Sequence, residues 1–389
     1  MAKTVVCSDD APACWFHHVV AVVRLSIRVA TLPPRRSAAN LPAMPDLLVT
    51  PDALAAYLRD QRLIGPRDPV DIRPLTGGVS NQTMLIERPG RDEAWVSKQA
   101  LAQLRVAVQW HCDPARVHRE ALGLQWLERL APPGTITPLI HEDHDYHLIV
   151  MRAVDQPHDN WKDLLLAGRI DADHVRQFGV LLGTIHRRAY EQRDAVSVVF
   201  DDRGFFESLR LEPYYQYTGE QVPAAAPFFD ALIADSLARR LTLVHGDYSP
   251  KNILVHAGRL ILLDHEVIHF GDPAFDLGFA LSHLLSKAHH LPEQRAAFVD
   301  AARQFVRSYH QALGDVPWAG DLERFAVRHA LGCLLARVRG RSTLEYMPHP
   351  ERDVQASVVV GLMHESPATV DDLCGWFMKA AVLKVKCFE

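Results

Sequence analysis

Residues 243–285 read LVHGDYSPKNILVHAGRLILLDHEVIHFGDPAFDLGFALSHLL and set acidic and amide side chains at short, ordered intervals. His245-Gly246-Asp247 is followed by Asn252, five residues past the aspartate. An apolar LILL run then delivers Asp264 and Glu266, and Gly271-Asp272-Pro273 leads to Asp276. Phosphoryl transfer needs little covalent chemistry from a protein. It needs a carboxylate to orient or deprotonate the attacking hydroxyl, oxygen ligands for a metal on the phosphates, and accurate positioning. Asp247 and Asn252 offer a base and an amide oxygen on one stretch of irregular chain. Asp264, at the end of an apolar strand, is a carboxylate on a rigid mount, suited to a hard cation. Glu266 could share that ion or a second one. One His-Gly-Asp alone would read as solvated loop, and the ordered set is what points to catalysis. Asp272 and Asp276 sit where a loop meets a helix, so capping and loop tethering are their expected work. His245 is expected to be a structural hydrogen-bonding residue.

The pattern HGDxxxxN, then LLDxE, then GDPxxDL resembles the aminoglycoside phosphotransferase and choline-kinase group of small-molecule kinases, over about residues 66–340. The resemblance implies an α+β, protein-kinase-like fold of two lobes, with a small β-rich N-lobe and a larger, mostly helical C-lobe. It implies Asp247 as catalytic base, with Asn252 and Asp264 as magnesium ligands. The pair Asp264 and Glu266, with the VSKQAL run around Lys98, looks most like the methylthioribose kinases of this group, in which the second acidic residue also helps bind metal. ATP is the implied phosphate donor. The turn Thr76-Gly77-Gly78-Val79-Ser80 lies between two strand-like runs, and Gly77, Gly78 and Ser80 are expected to close over phosphates with backbone N–H groups. Next in order come Lys98 in a strand and Glu120 in a helix, the arrangement by which a kinase lysine reaches phosphates while a carboxylate holds it. Residues 147–154 (HLIVMRAV) suit an adenine-binding hinge.

Several elements must place these groups. Residues 51–62 have amphipathic helical spacing, with Asp52 as the expected cap. Runs at 70–75, 83–87 and 94–98 read as strands, 114–130 as a helix and 147–150 as a buried strand. Residues 151–160 lose periodicity, so the lobe boundary is expected there: N-lobe 46–153 and C-lobe 154–389. Helices are expected at 173–190 and 236–241, short strands at 243–244, 253–255 and 260–263, and an almost wholly helical chain after residue 272.

The 389 residues are 48% hydrophobic and 23% charged, a soluble globular balance long enough for two lobes. A net charge of −5 argues against a protein built around nucleic-acid backbones, so none is expected as a partner. Six cysteines without a CxxC pair point to a reducing cytoplasm rather than a disulfide scaffold. Residues 15–32 are apolar but carry Arg24 and Arg28, so no stable membrane span is expected. Residues 1–45 are expected to be a poorly ordered or misassigned extension, with Met44 opening the compact part. Acceptor-binding candidates are Tyr248, His265, Arg337, Arg341 and Tyr346, with Trp161 and the aromatic stretch 205–217 more often packing than cage. No paired-arginine pattern stands out. The expected activity is transfer of the ATP γ-phosphate to a hydroxyl of a small acceptor. The alternative is a nucleotide-binding regulatory module of the same fold without turnover. A protein kinase proper is opposed by HGD in place of HRD and by the lack of an APE segment.

Overall fold

The computed structural model describes residue 48 and residues 50–75, 81–103 and 112–388. The expectations for residues 1–45 and for Gly77, Gly78 and Ser80 lie outside the described residues.

The first helix, α1 (Pro51–Asp60), is capped by Thr50, whose Oγ1 accepts from Ala53 N at 3.2 Å. Asp52, the expected cap, instead stands in the first turn, where a negative charge favours the positive end of the helix dipole. Five strands follow: β1 (Asp71–Pro74), β2 (Asn81–Glu87), β3 (Trp95–Ala100), β4 (Leu139–Asp143) and β5 (Leu148–Arg152). They form one antiparallel sheet in the order β1-β2-β3-β5-β4. Strand alternation gives the sheet two working faces. Met84, Ile86, Trp95, Leu148 and Val150 pack on Leu54 and Leu58 of α1. Ala100, Ile149 and Met151 pack instead on Val117, Ala121 and Leu124 of α2 (Arg116–Leu130). Lys98 pairs with Ile149 across the β3–β5 ladder, so it shares the face that meets α2.

The larger lobe is helical around two small sheets. One joins β6 (His158–Asn160), β8 (Ile253–His256) and β9 (Arg259–Leu262), with β8 in the middle; the other pairs β7 (Thr242–Val244) with β10 (His269–Gly271). Its helices are α3 (Trp161–Leu166), α4 (Ala172–Glu191), α5 (Arg193–Val199), α6 (Gly204–Phe206), α7 (Tyr217–Gln221), α8 (Ala226–Ala238), α9 (Pro273–His290), α10 (Arg295–Leu313), α11 (Ala319–Arg339), α12 (His349–His364) and α13 (Val370–Phe388). A wide π-helical stretch, Glu207–Gln216, links α6 to α7. The apolar α9 is buried along nearly all its length, which suits a central helix. Gly179 and Gly183 let α4 lie close on α10: a Cβ at either would stand 2.4 Å from a carbonyl oxygen, of Phe305 or of Tyr309. No helix among the described residues is long and apolar enough to cross a membrane.

One local expectation is corrected, and three strands appear where none was expected. The helix expected at 236–241 is the end of α8, and the chain is already extended at Arg239. Strands β4, β6 and β10 carry no clean alternation of their own. β6 and β10 exist because partners distant in sequence, β8 and β7, complete their hydrogen bonds, and β4 because the next strand, β5, pairs with it across a short turn and an irregular register.

Candidate active site

The loop after β7 carries Asp247, and its shape is fixed from beneath. Gly246 has φ +77°, and a Cβ there would lie 2.9 Å from Val267 Cγ2, so both backbone and space demand glycine. His245 N and Gly246 N donate to the two oxygens of Asp276 at 2.7 and 2.8 Å. His186 Nε2 lies 3.2 Å from the same carboxylate. Burial alone would raise the Asp276 carboxyl, but the His186 hydrogen bond and the nearby imidazoles hold it below its usual range. Asp276 is therefore the tether of the loop, and Asp272 caps α9 by accepting from Ala274 N at 3.1 Å. Asp247 N donates to His245 Nδ1 at 3.2 Å, which leaves His245 Nε2 to donate to His265 Nδ1 at 3.1 Å. Burial pushes His245 down, in keeping with a neutral ring that accepts at one nitrogen.

The Asp247 carboxylate meets two donors on one oxygen. Asn252 Nδ2 donates to Oδ2 at 2.7 Å, and Arg210 Nη2 lies 3.0 Å from it. Arg210 also donates from Nε to the Gly246 carbonyl at 2.7 Å, so it braces the loop at two points. Asn252 N–H and C=O are tied locally: its carbonyl accepts from Leu263 N at 2.9 Å, next to Asp264 in sequence.

Asp264 follows β9 by two residues and adopts φ +70°. Its Oδ1 lies 3.1 Å from Lys98 Nζ, and the same nitrogen lies 2.6 Å from Glu120 Oε1. Burial would raise the Asp264 carboxyl; the Lys98 ammonium, with Lys251 behind it, overrides that and holds it ionised below the usual carboxylate range. Burial works against the Lys98 charge as well, yet the Asp264 and Glu120 carboxylates keep it firmly protonated. Glu266 is drawn toward Arg116 Nε, 3.1 Å from its Oε2, and burial followed by the charge of Asp264 pushes it upward. Thus Lys98, Glu120 and Asp264 are joined directly, Asp247 and Asn252 form a second joined group, and Glu266 is bound to the start of α2.

A cavity of about 640 Å³ opens beside Lys98, within the range of small-molecule sites. Leu85, Val96 and Met151 line it from the sheet, Leu254 and Leu263 from the larger lobe, and residues 152–156 run along it. Asp247 is not among its lining residues.

The acceptor candidates are largely engaged elsewhere. Tyr248 is buried and donates to the Phe178 carbonyl at 2.6 Å. Arg341 bonds Glu212 at 2.8 Å, and Arg337 bonds Tyr214 and Ser342. Trp161, Phe206, Tyr214 and Tyr215 belong to the main core, as a packed insert rather than a cage. Arg210 and Arg116 are the two site residues that sequence reasoning missed. Arg210 lies in an aperiodic stretch interrupted by Pro213. Its one available signal is chemical: an arginine among apolar and aromatic neighbours needs a carboxylate partner when buried.

A small twisted sheet with a lysine–glutamate pair, set over a helical lobe that bears the aspartate loop, defines the protein-kinase-like class of fold. Residues 71–330 match the model of the phosphotransferase enzyme family, and the chain belongs to that family. It is 29% identical over 266 residues to a methylthioribose kinase of Pectobacterium carotovorum, across 58% of this chain and 66% of that one. With the methylthioribose kinase of Klebsiella pneumoniae (strain 342) it shares 26% over 302 residues, 70% of this chain and 74% of the relative. The chain spans a little under two thirds of the Pectobacterium relatives it matches. A choline/ethanolamine kinase family protein from Mesorhizobium loti superposes with a TM-score of 0.48 at 14% identity, covering 85% of this chain and 99% of that one.

Proposed function

We propose that the protein is a small-molecule kinase that transfers the terminal phosphate of ATP to a hydroxyl group of its acceptor. The observation that carries this reading is the convergence, from four separate segments, of Lys98, Glu120 and Asp264 on one side and Asp247 with Asn252 on the other. ATP fits the cavity beside Lys98, its adenine on the apolar walls near residues 152–156 and its α- and β-phosphates on the lysine. Glu120 holds that lysine extended. Gly77, Gly78 and Ser80, which lie between β1 and β2 in the sequence, are assigned to the phosphates on sequence grounds.

The residues present fit a magnesium ion. The Asn252 amide nitrogen is committed to Asp247, so its oxygen is the atom left for a hard cation, and Asp264 is kept ionised. Asn252 and Asp264 would hold the ion, with Glu266 two residues further on. When bound, magnesium supplies charge neutralisation on the phosphate oxygens.

Both bonds to the Asp247 carboxylate fall on Oδ2, so Oδ1 takes the hydroxyl proton as the acceptor oxygen bonds to the γ-phosphorus and ADP leaves. Arg210 and Asn252 fix the carboxylate plane, and Asp276 fixes the loop. A thiosugar of the methylthioribose type is the first acceptor to test, since the relatives bear that name. We place the lobe boundary between residues 153 and 154. The buried free cysteines Cys112, Cys333 and Cys374 support a reducing cytoplasm. The test is acceptor-dependent ADP release across sugars, amino alcohols and aminoglycosides. Tight MgATP binding with no turnover on any acceptor would favour the non-catalytic module instead.

A further inference from the structure

In the larger lobe, positively charged side chains gather beside the aspartate loop without carboxylates to match them. Lys287, on α9, is completely buried. Its Nζ donates to the His283 carbonyl at 3.4 Å and stands 5.4 Å from the centre of the Tyr346 ring. The charges of Lys162 and Arg337 act on it more strongly than those of Glu345 and Asp163, and Glu345 is already paired with Lys162. Arg337, on α11, is buried as well; its Nη1 donates to Tyr214 Oη at 3.1 Å and to Ser342 Oγ at 2.8 Å, while its Nε has no hydrogen-bond partner. The Tyr346 hydroxyl is also buried and unmatched. Burial holds His283, one turn before Lys287, well below its usual range, and Arg337, Lys287, Lys251 and Lys162 act on it in the same direction. Four cations therefore surround one neutral imidazole. A buried ammonium is costly unless an anion meets it, and here the chain supplies too few.

The cluster adjoins the reacting end of the site. Asn160, the cap of α3, donates from Nδ2 to the Lys251 carbonyl at 2.8 Å, which sets Lys162 beside the turn that carries Asn252. The Lys251 charge acts on Asp264 as well as on His283. The Tyr214 ring joins the two sides: Arg210, the partner of Asp247, lies 5.7 Å from its centre and Arg337 lies 5.9 Å from it. Lys251 is exposed and the Lys162 side chain is 24% exposed, so these two form the solvent side while Lys287 lies beneath.

We propose that Lys162, Lys251, His283, Lys287 and Arg337, with the Tyr346 hydroxyl, hold an anionic group of the acceptor, so that the substrate is an alcohol bearing a carboxylate or a phosphate. Lys287 Nζ, Arg337 Nε and Tyr346 Oη are the donors left for its oxygens. The anion is gripped on α9 and α11 while the hydroxyl of the same molecule reaches Asp247. Methylthioribose, which is neutral, becomes the comparison compound. The acceptor role rests on the phosphotransfer reading; the anion pocket does not.

Two readouts keep these apart. Calorimetry on the full chain saturated with MgADP measures binding of ribonate and of ribose 5-phosphate against neutral ribitol and methylthioribose. ADP release from MgATP measures turnover of the same alcohols. Ribonate or ribose 5-phosphate should bind about tenfold or more tightly than either neutral compound, and which of them does so tells a carboxylate site from a phosphate site. Lys287→Met removes a buried charge and so folds readily; it should raise the Kd and KM of the preferred acid about 10- to 100-fold and leave the neutral compounds within about threefold. Lys162→Met should act in the same direction by a few fold. Neutral compounds bound as tightly as both acids, or acid affinity unchanged in both variants, would overturn the proposal. Acid binding that depends on Lys287, with no ADP release from any of these alcohols, would keep the pocket as an anion site and overturn its acceptor role.

Discussion

Replacing Asp276 by asparagine keeps the size of the side chain and removes what the Asp247 loop rests on. The carboxylate takes His245 N on one oxygen and Gly246 N on the other, with His186 also against it, and it is fully buried. An asparagine has one acceptor oxygen, so in either orientation its NH₂ faces one of those backbone N–H groups. A buried donor left unmatched costs about 1–3 kcal/mol, and the lost charge weakens the remaining bonds by about half. Together these give a destabilisation of about 3–5 kcal/mol, a large part of the ~5–15 kcal/mol of an ordinary domain. The loop would also relax, and a shift of about 1 Å in a reacting group costs on the order of 10²-fold in rate. The assay pairs urea unfolding followed by tryptophan fluorescence with kcat for ADP release at a temperature where the variant remains folded. Asp272→Asn is the comparison: asparagine keeps the α9 cap but loses the charge at the helix start and the ion pair with Arg239, so it should lower stability and leave kcat within about threefold. A normal midpoint and a normal kcat for Asp276→Asn would refute the argument that this carboxylate builds the loop.

Two further substitutions probe other parts of the account. Lys98→Met removes hydrogen bonds to charged phosphates worth about 1.5–3 kcal/mol, so the Kd for MgATP should rise about 10- to 100-fold by calorimetry. An unchanged Kd would remove Lys98 from the nucleotide site. Lys287 is completely buried on α9, and burial, followed by the charges of Lys162 and Arg337, pushes its ammonium down to about 7. The unfolded chain keeps that proton up to about pH 10.4, so between pH 7 and 10 the unfolded state binds more protons and folding stability rises with pH. Lys287→Met lacks this slope: its advantage over the parent should be greatest below pH 7, at most about 5 kcal/mol, and should fade toward pH 10. Parallel Tm profiles against pH for the two proteins would contradict this.

The candidate active-site segment was legible because its parts are local. Asp247 and Asn252 are five residues apart on one loop, and LILL is a strand whose end supports Asp264. Lys98 and Glu120 were legible through order and periodicity: alternation along β3 turns the lysine to the face that α2 covers, and helical spacing turns the glutamate back to it. Arg210 and Arg116 were not, since their meaning depends on partners 37 and 150 positions away in the chain, Asp247 and Glu266. Strands β6 and β10 were missed for the same reason, being short and supported by distant partners, and β4 because its irregular register against β5 leaves no alternation of its own. The aromatic stretch 205–217 offered both core and cage, and only packing against α9 and α11 separates them.

The central claim, that Asp247 directs a nucleotide phosphate onto an alcohol, is tested most directly by ADP release from MgATP with and without methylthioribose and other small alcohols, in the parent chain and in Asp247→Asn. The account predicts acceptor-dependent release in the parent. In the variant, release should fall by about 10²-fold or more while MgATP binding by calorimetry stays within a few fold. Acceptor-dependent turnover surviving at the parent rate in Asp247→Asn would contradict it.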